Sequence, residues 1–181
     1  ALRRCERDKL IAALLYLDLD HFKEINDTLG HHQGDALLRK VGNRLETCLR
    51  KTDTLARMGG DEFAILLASI TTETDASVVA NQILEKMKKP FDLDGHEVFI
   101  SPSIGIALYP DNGISTDSLR KHADIAMYAA KEQGRSTYSF FSDSMNLKII
   151  ENRDLEKGLR RALHQQEFHL LYQPQYDLQT G

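Results

Sequence analysis

Apolar and polar positions along the chain fall into runs of two kinds. "AALLYLDLD" (Ala12–Asp20) is apolar almost throughout and ends in acids, the pattern of a strand buried on both faces. "HFKEINDTLGHH" predicts a short helix closed by Gly30. In "GDALLRKVGNRLETCLR", Leu37, Leu38, Val41, Leu45 and Leu49 recur on one helical face. "DTLARM" and "DEFAILL" flank Gly59 and Gly60 and predict a hairpin. "ETDASVVANQILEKMKK" predicts an amphipathic helix stopped by Pro90, and "HEVFISPSIGIALYP" one or two strands. "STDSLRKHADIAMYAAKEQG" predicts a helix with a Ser or Thr cap and Gly134 at its end, and "RSTYSFF" a closing strand. The order β-α-α-β-β-α-β-α-β predicts a mixed α/β domain with a hairpin in its middle.

The two ends read differently. "ALRRCERDKLIA" looks like the end of a charged helix. From about Asp143 the composition shifts to the charged helical run "SDSMNLKIIENRDLEKGLRRALHQQEF", followed by strand-like "HLLYQPQYDLQTG". The expected organisation is one domain over residues 1–142, then a linker helix and the first strand of a second domain over residues 143–181. No internal repeat or low-complexity segment interrupts it.

Composition narrows the function classes. Of 181 residues, 41% are hydrophobic and 28% charged, as in ordinary globular domains. A net charge of −4 and no basic stripe argue against a nucleic-acid partner. Runs such as "IAALLYL" are too short to span a bilayer, and no signal peptide is evident. A cytoplasmic location is expected, with any membrane anchor in N-terminal regions outside the chain. Cys5 and Cys48 lack metal-ligand spacing and read as thiols in a reducing compartment.

Why should a hairpin carry two adjacent acids at its tip? Its turn needs the glycines, not Asp61 and Glu62, whose charges repel. Asp18 and Asp20 end the first strand. If that strand and the hairpin are neighbours, Asp18 and Asp61 converge, and converging carboxylates need a cation. Hard oxygen ligands suggest Mg²⁺ bridging phosphates; on spacing alone, solvated strand-end acids fit as well. Gly59 and Gly60 serve either a plain turn or the close approach of a backbone to a phosphate or ribose. Lys131 and Arg135 share a helical face, as a basic helix end or as a triphosphate clamp. Lys23 follows the strand-end acids and could reach the same phosphates. Asn26 and Asp35 fit helix caps, or polar groups pairing with the edge of guanine. "RKTD" places Arg50 and Asp53 before the hairpin, as a helix-end ion pair or as a site stacking a purine and reading guanine.

Taken together, "LDLDHFKEINDTLGHHQGDALL", "RKTDTLARMGGDEFAILL", "SIGIALYP" and "ADIAMYAAKEQGRSTYSFF" resemble, in order and spacing, the GGDEF family of diguanylate cyclases. The likeness covers roughly residues 10 to 141, with the signature intact at Gly59–Phe63. It implies a nucleotide-cyclase and polymerase-palm-like α/β (α+β) fold: a central mixed sheet, surrounding helices and a β-hairpin carrying the signature. It further implies Mg²⁺-dependent condensation of two GTP into cyclic di-GMP with release of two pyrophosphates, Mn²⁺ serving as a substitute metal.

The resemblance also implies roles. Asp18, the Leu19 carbonyl and Asp61 would hold metal, and Asp61 would accept a proton. Glu62 would lie near metal and ribose, and Lys23 would stabilise the transition state. Asn26, His31, Asp35, Gly59 and Gly60 would meet substrate, with Asn26 and Asp35 on guanine. Lys131 and Arg135 would hold the triphosphate, and Arg50 and Asp53 an inhibitory product. The family's usual D-x-L-T-G-L-x-N-R segment, part of the guanine pocket wall, does not occur in the chain. "RDLEKGLRRALHQQEFHLLYQPQYDLQTG" resembles the opening of an EAL phosphodiesterase domain, whose metal motifs are absent here. The implied partners are GTP, cyclic di-GMP, a second GGDEF domain in a homodimer and a fused EAL domain. The alternative function is a non-catalytic GTP-sensing module that regulates that EAL domain.

Overall fold

In the computed structural model, which describes residues 10–173 (side chains of 147–154 and 156 excepted), Ile11–Leu19 form strand β1. There follow α1 (Phe22–Leu29), α2 (His31–Glu46), β2 (Thr54–Gly59), β3 (Glu62–Ile70) and α3 (Glu73–Met87). Then come β4 (Phe91–Leu93), β5 (His96–Val98), β6 (Pro102–Tyr109), α4 (Thr116–Glu132), β7 (Tyr138–Phe140) and α5 (Asp143–His164). Five strands make one mixed sheet in the order β2-β3-β1-β6-β7, antiparallel except for the parallel β6–β7 pair. The α/β (α+β) architecture with the signature on a β-hairpin is as the sequence implied.

β1 sits in the middle of the sheet because both of its faces are apolar. Leu15, Leu17 and Leu19 point into a core shared with Leu37, Leu38, Val41 and Leu45 of α2 and Ala76, Ala80 and Ile83 of α3. Ala12 and Tyr16, on the other face, pack with Leu119, Ala123 and Met127 of α4. Period-two alternation therefore sends the side chains of Tyr16, Asp18 and Asp20 to the α4 face. Gly105 of β6 determines how closely α4 lies on that face. A Cβ there would stand 1.9 Å from the Ala123 carbonyl oxygen and 2.2 Å from the Met127 nitrogen. Both are backbone atoms of α4, so no side-chain rotation could relieve the clash.

A small ribbon of β4 and β5 turns at Asp94 and Gly95, both with positive φ. The expected element order lacked β4, whose three residues are too few to show a period. Tertiary packing makes it: Phe91 and Leu93 are buried, and the Arg44 guanidinium lies 3.3 Å from the centre of the Phe91 ring. Arg44 also donates to the Pro90 carbonyl at 2.9 Å.

The chain divides into two compact units, one ending at Met145 and the other beginning at Asn146. In the second, Leu155, Leu159 and Leu163 recur every four residues along α5 and are exposed. The strand expected in "HLLYQPQYDLQTG" does not form over its described residues, which have no regular structure up to Gln173. Leu170, Leu171 and Tyr172 are exposed there, and a strand without a neighbour has nothing to complete its ladder. The rest of that stretch, and the helix expected over "ALRRCERDK", lie outside the described residues.

Candidate active site at the signature hairpin

The hairpin brings two carboxylates face to face. β3 pairs with β1 so that Glu62 stands directly opposite Asp18, on the same side of the sheet. The sequence leads one to expect Asp18 and Asp61 to converge. Asp61 occupies the turn next to Glu62, and its carbonyl accepts from the Leu19 amide at 3.4 Å. Its charge still acts on Asp18. Gly60 takes φ 52°, a conformation that favours glycine. Arg57 then clips the turn, donating from Nε (3.0 Å) and Nη2 (2.8 Å) to the Gly60 carbonyl.

Two side chains hold this acidic pair, one from α4 and one from β1 itself. Lys131 of α4 places Nζ 2.7 Å from Asp18 Oδ1, both groups being largely shielded from solvent. Burial raises the Asp18 carboxyl above its ordinary value. The Lys131 hydrogen bond and charge pull it part of the way back, while Asp61 and Asp20 push it up. Tyr16, two residues before Asp18, donates its hydroxyl proton to Glu62 Oε2 at 2.9 Å. Burial first, and then Glu62, push the Tyr16 hydroxyl up to about 12, so it remains a donor at neutral pH. A cleft of about 320 Å³ opens beside Glu62, lined by Tyr16, Asp117, Arg120, Lys121 and Asp124. Burial and the Glu62 charge raise the Asp124 carboxyl.

This donor set suits a hard divalent cation: carboxylates crowded at a strand end, one of them buried enough to resist ionising unless positive charge is near. Among the described residues no three His, Cys, Asp or Glu side chains converge tightly enough to hold an ion unaided. A cation at Asp18 and Asp61 would complete its shell with phosphate oxygens and water, the usual habit of Mg²⁺.

The remaining candidates fall into three places. α1 starts two residues beyond Asp20 and carries Lys23, exposed, and Asn26, half-buried. Asn26 lies against Gly34 of α2, where a Cβ would stand 1.9 Å from Asn26 Oδ1. Asp35, the next residue of α2, and His31 at its start are exposed. Arg135 follows α4 in a left-handed turn. Arg50 and Asp53 lie apart from all these, before the start of β2, a strand length of roughly 20 Å from the hairpin tip. Of the two readings the sequence left open, the helix-end ion pair is not among the ion pairs of the described residues. The Asp53 carboxylate accepts from the Arg50 backbone amide at 2.9 Å, closing a turn and leaving the Arg50 side chain exposed.

Asp20, grouped with the strand-end acids on sequence, plays a different part. It is buried and takes hydrogen bonds from Ser101, Ser103 and the Ser136 amide. Tyr16 and Arg57 escaped sequence reasoning. Period two on β1 places Tyr16 with Asp18, but only the β1–β3 register shows that its hydroxyl meets Glu62.

Residues 1–137 match the family described as "Diguanylate cyclase, GGDEF domain". The bifunctional diguanylate cyclase/cyclic di-GMP phosphodiesterase MucR of Pseudomonas aeruginosa is 45% identical over 174 residues, 96% of this chain and 25% of MucR. A solved GGDEF domain of TpbB, also from Pseudomonas aeruginosa, superposes with a TM-score of 0.80 at 41% identity, covering 83% of this chain and 88% of that one. The GGDEF domain of DgcB from Caulobacter crescentus, solved in complex with c-di-GMP, superposes with a TM-score of 0.65 at 30% identity, covering 76% and 82%. The chain spans about a quarter of the length of the curated relatives it matches. With its signature intact at the tip of the hairpin, the chain belongs to the GGDEF family of diguanylate cyclase domains.

Proposed function

We propose that this domain condenses two molecules of GTP into cyclic di-GMP and releases two pyrophosphates. The observation that carries this reading is the cross-strand pair of Asp18 and Glu62 at the GGDEF turn, with Lys131 on Asp18. A domain that only sensed GTP would not require acids so placed.

Each domain holds one GTP, so two must meet face to face, as a dimer, for reaction. The 3′-oxygen of one GTP forms a bond to the α-phosphorus of the other. The bond from that phosphorus to the β-phosphate bridging oxygen breaks, and pyrophosphate leaves with the electron pair. Asp61 takes the 3′-OH proton. Asn26 and Asp35 pair with guanine, His31 meets the nucleotide, and Gly59 and Gly60 let it pass close to the turn. Lys23, Lys131 and Arg135 hold the triphosphate, and much of the rate comes from this positioning. Asp18, the Leu19 carbonyl and Asp61 would hold Mg²⁺, or Mn²⁺ in its place, with Glu62 adjacent. The ion, when bound, neutralises phosphate charge and favours the 3′-alkoxide.

Arg50 and Asp53 bind the product and restrain the enzyme. The tail from about residue 143 leads into an EAL domain in a longer protein. No helix among the described residues is long and apolar enough to cross a membrane.

The test is incubation of the protein with GTP and Mg²⁺ followed by chromatographic separation of nucleotides. Wild type yields cyclic di-GMP and pyrophosphate. Asp61→Ala loses at least about 10³-fold in rate and keeps its thermal midpoint, since Asp61 sits in a turn outside the core. Turnover unchanged in that variant would refute the assignment.

A further inference from the structure

We infer that Asp20 is a positioning residue for substrate phosphates: it fastens the turn that carries Arg135. This rests on the proposed binding of the GTP triphosphate by Arg135. Asp20 is 5% exposed, and both of its oxygens are engaged. Oδ1 accepts from Ser103 Oγ at 2.7 Å. Oδ2 accepts from Ser101 Oγ at 2.8 Å and from the Ser136 amide at 3.1 Å. The Asp20 amide in turn donates to the Ser101 carbonyl at 2.8 Å. One carboxylate thus joins the end of β1, the entry to β6 and the loop after α4. These donors tie its carboxylate into the fold, whereas Asp18, two residues earlier, faces Lys131 and Glu62.

The loop it grips is strained. Arg135 has φ 64° and Ser136 φ 48°, consecutive non-glycine residues in the left-handed region. Such a conformation persists only where surrounding bonds over-determine it. Two bonds do so here, Ser136 N to Asp20 and Arg135 N to the Ala130 carbonyl at 3.2 Å. The Arg135 side chain is exposed, so its placement depends chiefly on the backbone of this turn. A fixed backbone at Arg135 removes part of the ordering cost that an arginine on a loose loop would meet on binding a phosphate.

Calorimetric titration of GTP with Mg²⁺ into four proteins tests this: wild type, Asp20→Asn, Arg135→Ala and the double variant. Asparagine keeps the shape of the side chain but has one acceptor oxygen where the carboxylate has two, so it cannot accept from all three donors and it loses the charge that strengthens those bonds. Arg135→Ala weakens binding by about tenfold or more, and Asp20→Asn by about fivefold. In the Arg135→Ala background, Asp20→Asn adds less than about twofold. If Asp20→Asn fails to fold, Ser101→Ala, which removes one donor to Oδ2, carries the same cycle with a smaller loss. Wild-type affinity in a folded Asp20 or Ser101 variant overturns the inference, as does an equal loss with and without Arg135, which marks a general structural role. Wild-type affinity in Arg135→Ala strikes instead at the triphosphate assignment itself and removes the ground on which the inference stands.

Discussion

Lys131 Nζ stands 2.7 Å from Asp18 Oδ1 and so joins α4 to the acidic end of the central strand. It is the ammonium partner that lets Asp18 and Glu62 sit opposite each other with Asp61 near. Lys131→Met leaves those charges facing one another across the ladder. Loss of about 1–3 kcal/mol of stability at neutral pH is expected, together with weaker GTP binding. In an Asp18→Asn background the stability loss from Lys131→Met shrinks, because the charge it balanced is gone. Denaturant titration of the four proteins reads this coupling; equal losses in both backgrounds would dismiss the pair as incidental.

Gly34→Ala probes Asn26 without touching it. The new methyl meets Asn26 Oδ1 at 1.9 Å, and the far end of a side chain can swing away. The protein therefore folds, helped by about 1 kcal/mol of helix propensity and opposed by contact with the Phe22 ring. The displaced amide no longer pairs with guanine, so the preference for GTP over ATP falls by about tenfold or more. Competition binding of the two nucleotides checks it. An undiminished preference would place guanine recognition elsewhere.

Arg50 and Asp53 can be separated in their effects on product. The Asp53 carboxylate closes the turn by accepting from the Arg50 amide. Asp53→Asn keeps an oxygen for that bond and loses the charge that would face guanine. Both Asp53→Asn and Arg50→Ala are expected to lose about tenfold or more in affinity for cyclic di-GMP, with inhibition relieved in parallel. Titration of cyclic di-GMP into the variants reads the affinity, and wild-type binding in both would leave the turn with a structural role alone.

At the start of α3, Asp75 Oδ2 accepts from the amides of Thr71 (2.8 Å) and Thr72 (3.1 Å). These bonds, the first more than the second, hold the Asp75 carboxyl below its ordinary value of 3.8. A depressed carboxyl contributes stability that is fully present above the unfolded value and lost as pH falls through the folded one. Asp75→Asn is therefore most costly near neutral pH. Its deficit in thermal midpoint narrows as pH falls through about 4 and below. A deficit independent of pH would show that the charge on Asp75 contributes nothing.

The order of elements could be read from the chain because it is local. Apolar β1, the face of Leu37, Leu38, Val41 and Leu45, and the Gly-Gly turn each carry their own period or turn chemistry. The family, too, follows from linear spacing: Asp18, Gly59–Phe63 and Lys131 keep their order whatever surrounds them. Three-dimensional pairing decided the rest. The β1–β3 register put Glu62, not Asp61, across from Asp18, since a shift of one residue sends a side chain to the other face. Gly105 let α4 lie close enough for Lys131 to reach that acid. Burial among Ser101, Ser103 and Ser136, residues 81 to 116 positions away, turned Asp20 from an apparent third site acid into a structural clamp. Charge and hydrogen-bond partners depend on such distant contacts, and a sequence records neither until the sheet brings them together.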